Sequence, residues 1–134
     1  MKKTALLSIA LLFFLFGAYG QQATLSVPGG EPSLKWVSDS TITVGQVELN
    51  KPVTISFQFV NNGKAPLVIS RVESSCGCTA VDYSKAPVSP NQKGYVKATY
   101  NAASPGVFSK TVTVYTNTTD MRKVLVIKGE VMQK

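Results

Sequence analysis

Apolar and polar residues alternate along the chain with a period of two. Val53, Ile55, Phe57 and Phe59 interleave with Thr54, Ser56 and Gln58, the signature of a strand that lays one face on a core. Val96, Ala98 and Tyr100 alternate with Tyr95, Lys97 and Thr99 in the same way. Phe108, Val112 and Val114 share a face that Lys110 interrupts, which places Lys110 near that strand's start, where its stem can reach water. Leu125, Ile127 and Val131 mark a closing strand, and shorter strands are expected over 34–37, 42–47 and 67–73. No window carries the i, i+3, i+4, i+7 stripe of an amphipathic helix.

Turn residues fall between these segments. Pro28-Gly29-Gly30 precedes the first strand, Asn62-Gly63 supplies residues that tolerate positive φ, and Pro66 sets the entry to the next strand. Pro87 and Pro90 bracket a loop, Pro105-Gly106 makes a turn, and Asn117-Thr118-Thr119-Asp120 separates the last two strands. About seven short antiparallel strands describe an all-β sandwich. Trp36 and Tyr100 are read as core or sandwich-edge residues rather than ligand stackers.

The first residues follow a different pattern. Met1-Lys2-Lys3 is a basic start, Thr4 to Phe16 is an almost unbroken apolar run, and Ala18-Tyr19-Gly20 offers the small residues that signal peptidase accepts. Residues 1–20 are therefore expected to be a cleavable signal peptide, 21–33 a flexible segment, and 34–134 one sandwich domain. The apolar run is shorter than the roughly 20 residues a membrane span requires, so no transmembrane segment is expected after cleavage. Gln21 stands where a lipoprotein would carry its lipidated cysteine. The expected location is periplasmic or secreted, without a lipid anchor.

Charge narrows the partners. The formal net charge is +7, and two of those positive charges, Lys2 and Lys3, leave with the signal. The remaining basic residues are dispersed, with no cluster longer than Arg122-Lys123. Nucleic-acid binders gather such charge into a patch or stripe, so no nucleic-acid partner is expected.

Taken together, Phe57-Gln58-Phe59-Val60-Asn61-Asn62-Gly63, Pro66-Leu67-Val68-Ile69, Cys76-Gly77-Cys78-Thr79, Pro87, Pro90 and the run Gly106 to Val114 into Thr116-Asn117 resemble a bacterial family, domain of unknown function 1573. The resemblance extends from Ile42 to Val131. It departs at Thr43-Val44-Gly45, where Asp-Phe-Gly is common, and at Asn91, where glycine is frequent. It implies an exported, Bacteroidetes-type protein with an immunoglobulin-like sandwich, similar to pilus-chaperone and sperm-protein domains. It implies no activity and no cofactor.

Cys76 and Cys78 are the only cysteines in a chain without histidine. On an extended strand the two would face the same side, and Gly77 allows the bend that a disulfide between them requires. Such a bond closes a three-residue loop and extrapolates to only about 1.5 kcal/mol of chain-entropy stabilisation. A passive turn, thiol redox chemistry and metal binding therefore stay open for Cys76, Gly77 and Cys78. Two thiolates suit Cu(I) or half a zinc site, with Met121 and Met132 as weak soft-ligand candidates.

Enzymatic chemistry has little else to draw on. Without histidine there is no Ser-His-Asp triad or Cys-His dyad, and Glu73 and Asp82 beside the triplet are read as solvated carboxylates. The expected function is a non-catalytic envelope module that binds a protein or glycan. The alternative is a small thiol-redox or metal-handling protein built on the cysteine pair.

Overall fold

The computed structural model describes residues 30–133, so the expected signal peptide and Pro28-Gly29 lie outside the described residues. Eight strands follow in order: β1 Leu34–Trp36, β2 Thr41–Glu48, β3 Val53–Asn61, β4 Ile69–Ser74, β5 Thr79–Tyr83, β6 Lys93–Tyr100, β7 Gly106–Thr116 and β8 Arg122–Met132. They form two four-stranded sheets, ordered β1-β3-β6-β5 and β2-β8-β7-β4. All seven expected segments carry a strand. The eighth, β5, has the sequence Thr-Ala-Val-Asp-Tyr and lies directly after the cysteine triplet.

Most neighbours pair antiparallel, although only β5–β6 and β7–β8 join consecutive strands. The β2–β8 pair is parallel, which departs from the expected all-antiparallel arrangement. Its register shifts between Thr43 and Gln46. Gly45 takes φ +73° there, a conformation open to glycine at little cost.

The core lies between the sheets. Phe57 and Phe59 of β3 and Val96, Ala98 and Tyr100 of β6 meet Phe108, Val112 and Val114 of β7 and Leu125, Ile127 and Val131 of β8. Each large apolar side chain buried in this way contributes on the order of 1.5–3 kcal/mol. The Phe59 ring passes over Gly94, and any Cβ at that position would collide with it. Tyr100 is buried against Phe108 with ring centroids 4.3 Å apart, and Trp36 packs edge-on against Phe59 at 5.5 Å. Tyr100 belongs to the core and Trp36 packs against it from the sandwich edge.

Three local expectations change. Lys110 is the fifth of eleven residues in β7, so it sits inside the strand, half-buried on the core-facing side. Asn62 and Gly63 are not among the residues with positive φ. Gly63 is instead a close-approach site, since a Cβ would strike the Glu31 carbonyl and the Ser33 amide. Residues 31–33, expected to be loose, are tied down through Asn62 N–H to Ser33 O at 3.0 Å and Lys64 N–H to Glu31 O at 3.1 Å.

One buried polar side chain organises this end of the sandwich. Asn61 has no solvent exposure. Its Nδ2 donates to Ala65 O at 2.8 Å and Val88 O at 2.9 Å, and its Oδ1 accepts from Gly63 N at 3.0 Å and Ser33 N at 3.4 Å. Its main chain bonds to Gln92 O and Asn91 N. Asn91 itself has φ +64°, which asparagine tolerates better than most residues. Asn61→Ala should lower stability by about 2–3 kcal/mol in urea unfolding, because buried carbonyls lose their donor. The exposed neighbour substitution Asn62→Ala should stay within about 0.5 kcal/mol, and equal effects would refute the assigned role of Asn61.

Candidate functional site

Cys76, Gly77 and Cys78 occupy the turn between β4 and β5. β4 is an edge of one sheet and β5 an edge of the other, so this turn carries the chain across the sandwich. Cys76 and Cys78 are joined by a disulfide with Cα atoms 5.3 Å apart. Two extended residues would span roughly 6.4–6.8 Å. Of the extended and the bent arrangements that the spacing allows, the chain takes the bent one, a tightened turn.

Neighbouring polar groups hold this turn. Ser74 Oγ donates to Cys76 O at 2.9 Å, and Thr79 N–H reaches the same carbonyl at 3.4 Å. Ser75 joins β7 through its N–H to Thr111 O at 2.9 Å and by accepting Thr111 N–H on its Oγ at 3.1 Å. On the other side Asn101 N–H donates to Cys78 O at 3.0 Å. The Thr79 hydroxyl lies 3.7 Å from Cys76 Sγ and must be the donor, because a disulfide sulfur has no proton. Both cysteines are half-buried, and Cys78 packs against the core.

Gly77 is exposed and outside the positive-φ region, and open space surrounds the position of a Cβ. The turn therefore does not depend on glycine for its backbone geometry. Glycine does leave the rim beside the sulfurs bare.

The structure does not bring the other candidates to this pair. Met121 precedes β8 and Met132 ends it, at opposite ends of an 11-residue strand that β7 separates from β4. Glu73 faces outward from its sheet, where Arg71 Nε lies 3.2 Å from one carboxylate oxygen and Tyr115 Oη donates to the other at 3.3 Å. Asp82 faces outward from the opposite sheet and accepts from Tyr95 Oη at 3.3 Å. The two carboxylates thus sit on opposite surfaces of the sandwich and cannot act as an acid/base pair. The Arg71 guanidinium is held more firmly protonated than usual, first by the Tyr115 side chain and then by Glu73.

A second feature was missed in the sequence. The bonds Asn101 N–H to Cys78 O and Ser84 N–H to Tyr95 O fix the phase of the β5–β6 ladder. Alternation then points the main-chain groups of Ala80 and Asp82 toward β6, and those of Val81 and Tyr83 toward the open side. The signal was present in the Thr-Ala-Val-Asp-Tyr alternation, but it is short and only half-buried. A separate open cleft of about 660 Å³ lies between β1 and the β7–β8 turn, lined by Leu34, Trp36, Thr116, Asp120 and Arg122 among others.

The family model described as protein of unknown function (DUF1573) matches residues 34–131. The chain belongs to the DUF1573 family. No curated protein matches it. Among solved structures, it is similar to a protein of unknown function from Porphyromonas gingivalis W83 (13% identity, TM-score 0.63), with 76% of this chain covering 47% of that one. It is also similar to the seventh ASH/PapD-like domain of human CEP192 (10% identity, TM-score 0.61; 80% and 89% of the two chains). A third likeness is to the VesB protease of Vibrio cholerae (15% identity, TM-score 0.60), covering 75% of this chain and 32% of that one. The DUF1573 chain spans about half the length of the Porphyromonas protein. At these identities the likeness is one of fold, an immunoglobulin-like sandwich.

Replacing both cysteines of the DUF1573 domain by serine should lower unfolding free energy by no more than about 1.5 kcal/mol, the limit set by a three-residue loop. Gly77→Ala should stay within about 0.5 kcal/mol. Denaturant titration measures both, and a loss above about 3 kcal/mol for the double variant would make the bond a structural staple.

Proposed function

We propose that this DUF1573 domain is a non-catalytic interaction module of the bacterial envelope that takes an extended segment of a partner protein alongside β5. The reading is carried by the uninterrupted edge of β5. Open edges are usually shortened, bulged or covered, because they recruit strands. Here β1 has three residues, β2 shifts register around Gly45, and β4 shifts between Ile69 and Arg71. β5 pairs with β6 without interruption from Thr79 to Tyr83.

Added strands bind through main-chain hydrogen bonds, with side chains giving selectivity. Val81 and Tyr83 turn both their N–H and C=O outward, and each bond formed contributes on the order of 0.5–1.5 kcal/mol. The edge is about 17 Å long at 3.3 Å per residue, enough for a partner segment of similar length. The export signal expected in residues 1–20 supports the envelope as the place of action. A protein partner is favoured over a glycan because Trp36, the aromatic lining the open cleft, is engaged with Phe59 in the core.

Substitution separates the two sides of the strand. A photoreactive residue at Asp82 should give a discrete protein adduct in native envelopes, whereas the same probe at Thr54, on the inner strand β3, should not. Val81→Pro removes an outward N–H, which an edge strand tolerates, together with part of a half-buried core contact, and should abolish the adduct while cooperative unfolding persists. Tyr83→Pro likewise removes an outward N–H, with a larger loss of core contact, and provides a second variant wherever it still unfolds cooperatively. An adduct that survives a folded proline variant, or no adduct at Asp82, would overturn the proposal.

A further inference from the structure

Lys110 is a charged residue on the core-facing side of β7, in a row that otherwise reads Phe108, Val112 and Val114. Its ammonium faces the Tyr100 ring, and the register of its strand runs on toward the cysteine turn. Ser74 lies opposite Val112 and Ser75 bonds to Thr111. One step further along both chains stand Cys76 and Lys110. The Lys110 ammonium lies 5.7 Å from the centre of the Tyr100 ring, Tyr100 pairs with Thr79, and the Thr79 hydroxyl donates to Cys76 Sγ. The hydroxyl donor thus lies on Cys76 itself, and continuing the β4–β7 register past Ser74 and Ser75 sets Lys110 across from Cys76.

We propose that Cys76–Cys78 is a thiol–disulfide exchange site, with Cys76 the attacked and nucleophilic sulfur, Cys78 the resolving one, and Lys110 and Thr79 positioning residues that favour the Cys76 thiolate. Thiolates are stabilised by nearby cations and destabilised by apolar surroundings, and Cys78 is the sulfur packed against the core. The bare rim at Gly77 leaves room for an incoming thiol. The co-reactant is a dithiol, free or on another protein. Its thiolate attacks Cys76 Sγ, forming a mixed disulfide as the Cys76–Cys78 bond breaks and Cys78 leaves as a thiolate. The second thiol, as its thiolate, then attacks the dithiol's own bonded sulfur and releases Cys76. The dithiol ends as a disulfide, and its two electrons and two protons reside on Cys76 and Cys78.

The two flanking carboxylates are engaged away from this pair, and Tyr100 is the ionisable group that faces Lys110. Glu73 faces Arg71 and Tyr115 on one outer surface, Asp82 faces Tyr95 on the other, and the Tyr100 ring lies beneath Lys110. Opening the bond would also free the turn that holds the Asn101 N–H to Cys78 O bond, the rung at which β5 begins. The exchange chemistry stands whether or not β5 takes a partner strand.

Single-cysteine variants test the assignment. In Cys78→Ser, the Cys76 thiol should react with an aromatic disulfide reagent near pH 7 about tenfold faster than the Cys78 thiol in Cys76→Ser. Adding Lys110→Gln to Cys78→Ser should slow Cys76 about threefold per unit rise in its pKa, and the order should reverse at high pH, where the less acidic thiolate is the better nucleophile. Lys110→Arg should restore the original profile. The unsubstituted protein should be reduced by dithiothreitol without denaturant, with faster amide exchange at Asn101. A pair that stays oxidised in the folded protein, equal reactivity of the two thiols, or a pH profile unmoved by Lys110→Gln would overturn the proposal.

Discussion

The fold depends on one fully buried amide. Asn61 ends β3, where the chain must leave the sheet, and a buried chain end exposes polar groups that water cannot reach. Its side chain supplies two donor bonds and two acceptor bonds there, to Ala65, Val88, Gly63 and Ser33. Three segments distant in sequence are thereby held together: the entry to β1, the loop after β3 and the loop before β6. An apolar residue of the same size would fill the space and leave those groups unpaired. A charged one would add a cost of burial.

The amide also explains why neighbouring positions are constrained. Gly63 must lack a Cβ because the loop folds back onto Glu31 and Ser33. Asn91 adopts positive φ so that its N–H can reach the Asn61 carbonyl. Just before β4 a second asparagine plays a similar part. Asn117 accepts from Val68 N–H at 2.8 Å and donates to Pro66 O at 3.1 Å, which fastens the loop that the turn signal at Asn117 had marked only as a break.

Most of the fold was legible because its inner faces are strongly buried. Phe57 and Phe59, Val96 and Ala98, or Leu125 and Ile127 can face inward in only one register, since a one-residue slip would expose the whole set. Less legible were features decided by tertiary contact. β5 has Thr79 buried and Val81 and Tyr83 half-buried on its inner side, too short an alternation to stand out beside the cysteines. The parallel pairing of β2 with β8 joins segments at the two ends of the domain, and no local pattern encodes it. Gly63 reads as a flexible turn residue in sequence, yet the structure uses its small volume. Lys110 looked like a strand-start residue because a charge inside an apolar row is normally costly, and its surroundings became visible only when β4, β6 and β7 were assembled.

The cysteine pair was the easiest candidate to see and the hardest to interpret. Its spacing permitted a disulfide but could not say what the bond would connect. In the folded chain it closes the one turn that passes from edge strand β4 to edge strand β5, next to the first rung of the β5 ladder. A three-residue loop contributes little to global stability through chain entropy. A bond that contributes little globally can still decide the local state of the few residues it encloses, because opening that turn requires far less free energy than unfolding the sandwich. The Asn61 network and the packed phenylalanines lie outside this turn, so they would keep the remaining strands in place if the bond were opened. The disulfide is thereby set apart from the rigid part of the domain, beside an uninterrupted sheet edge.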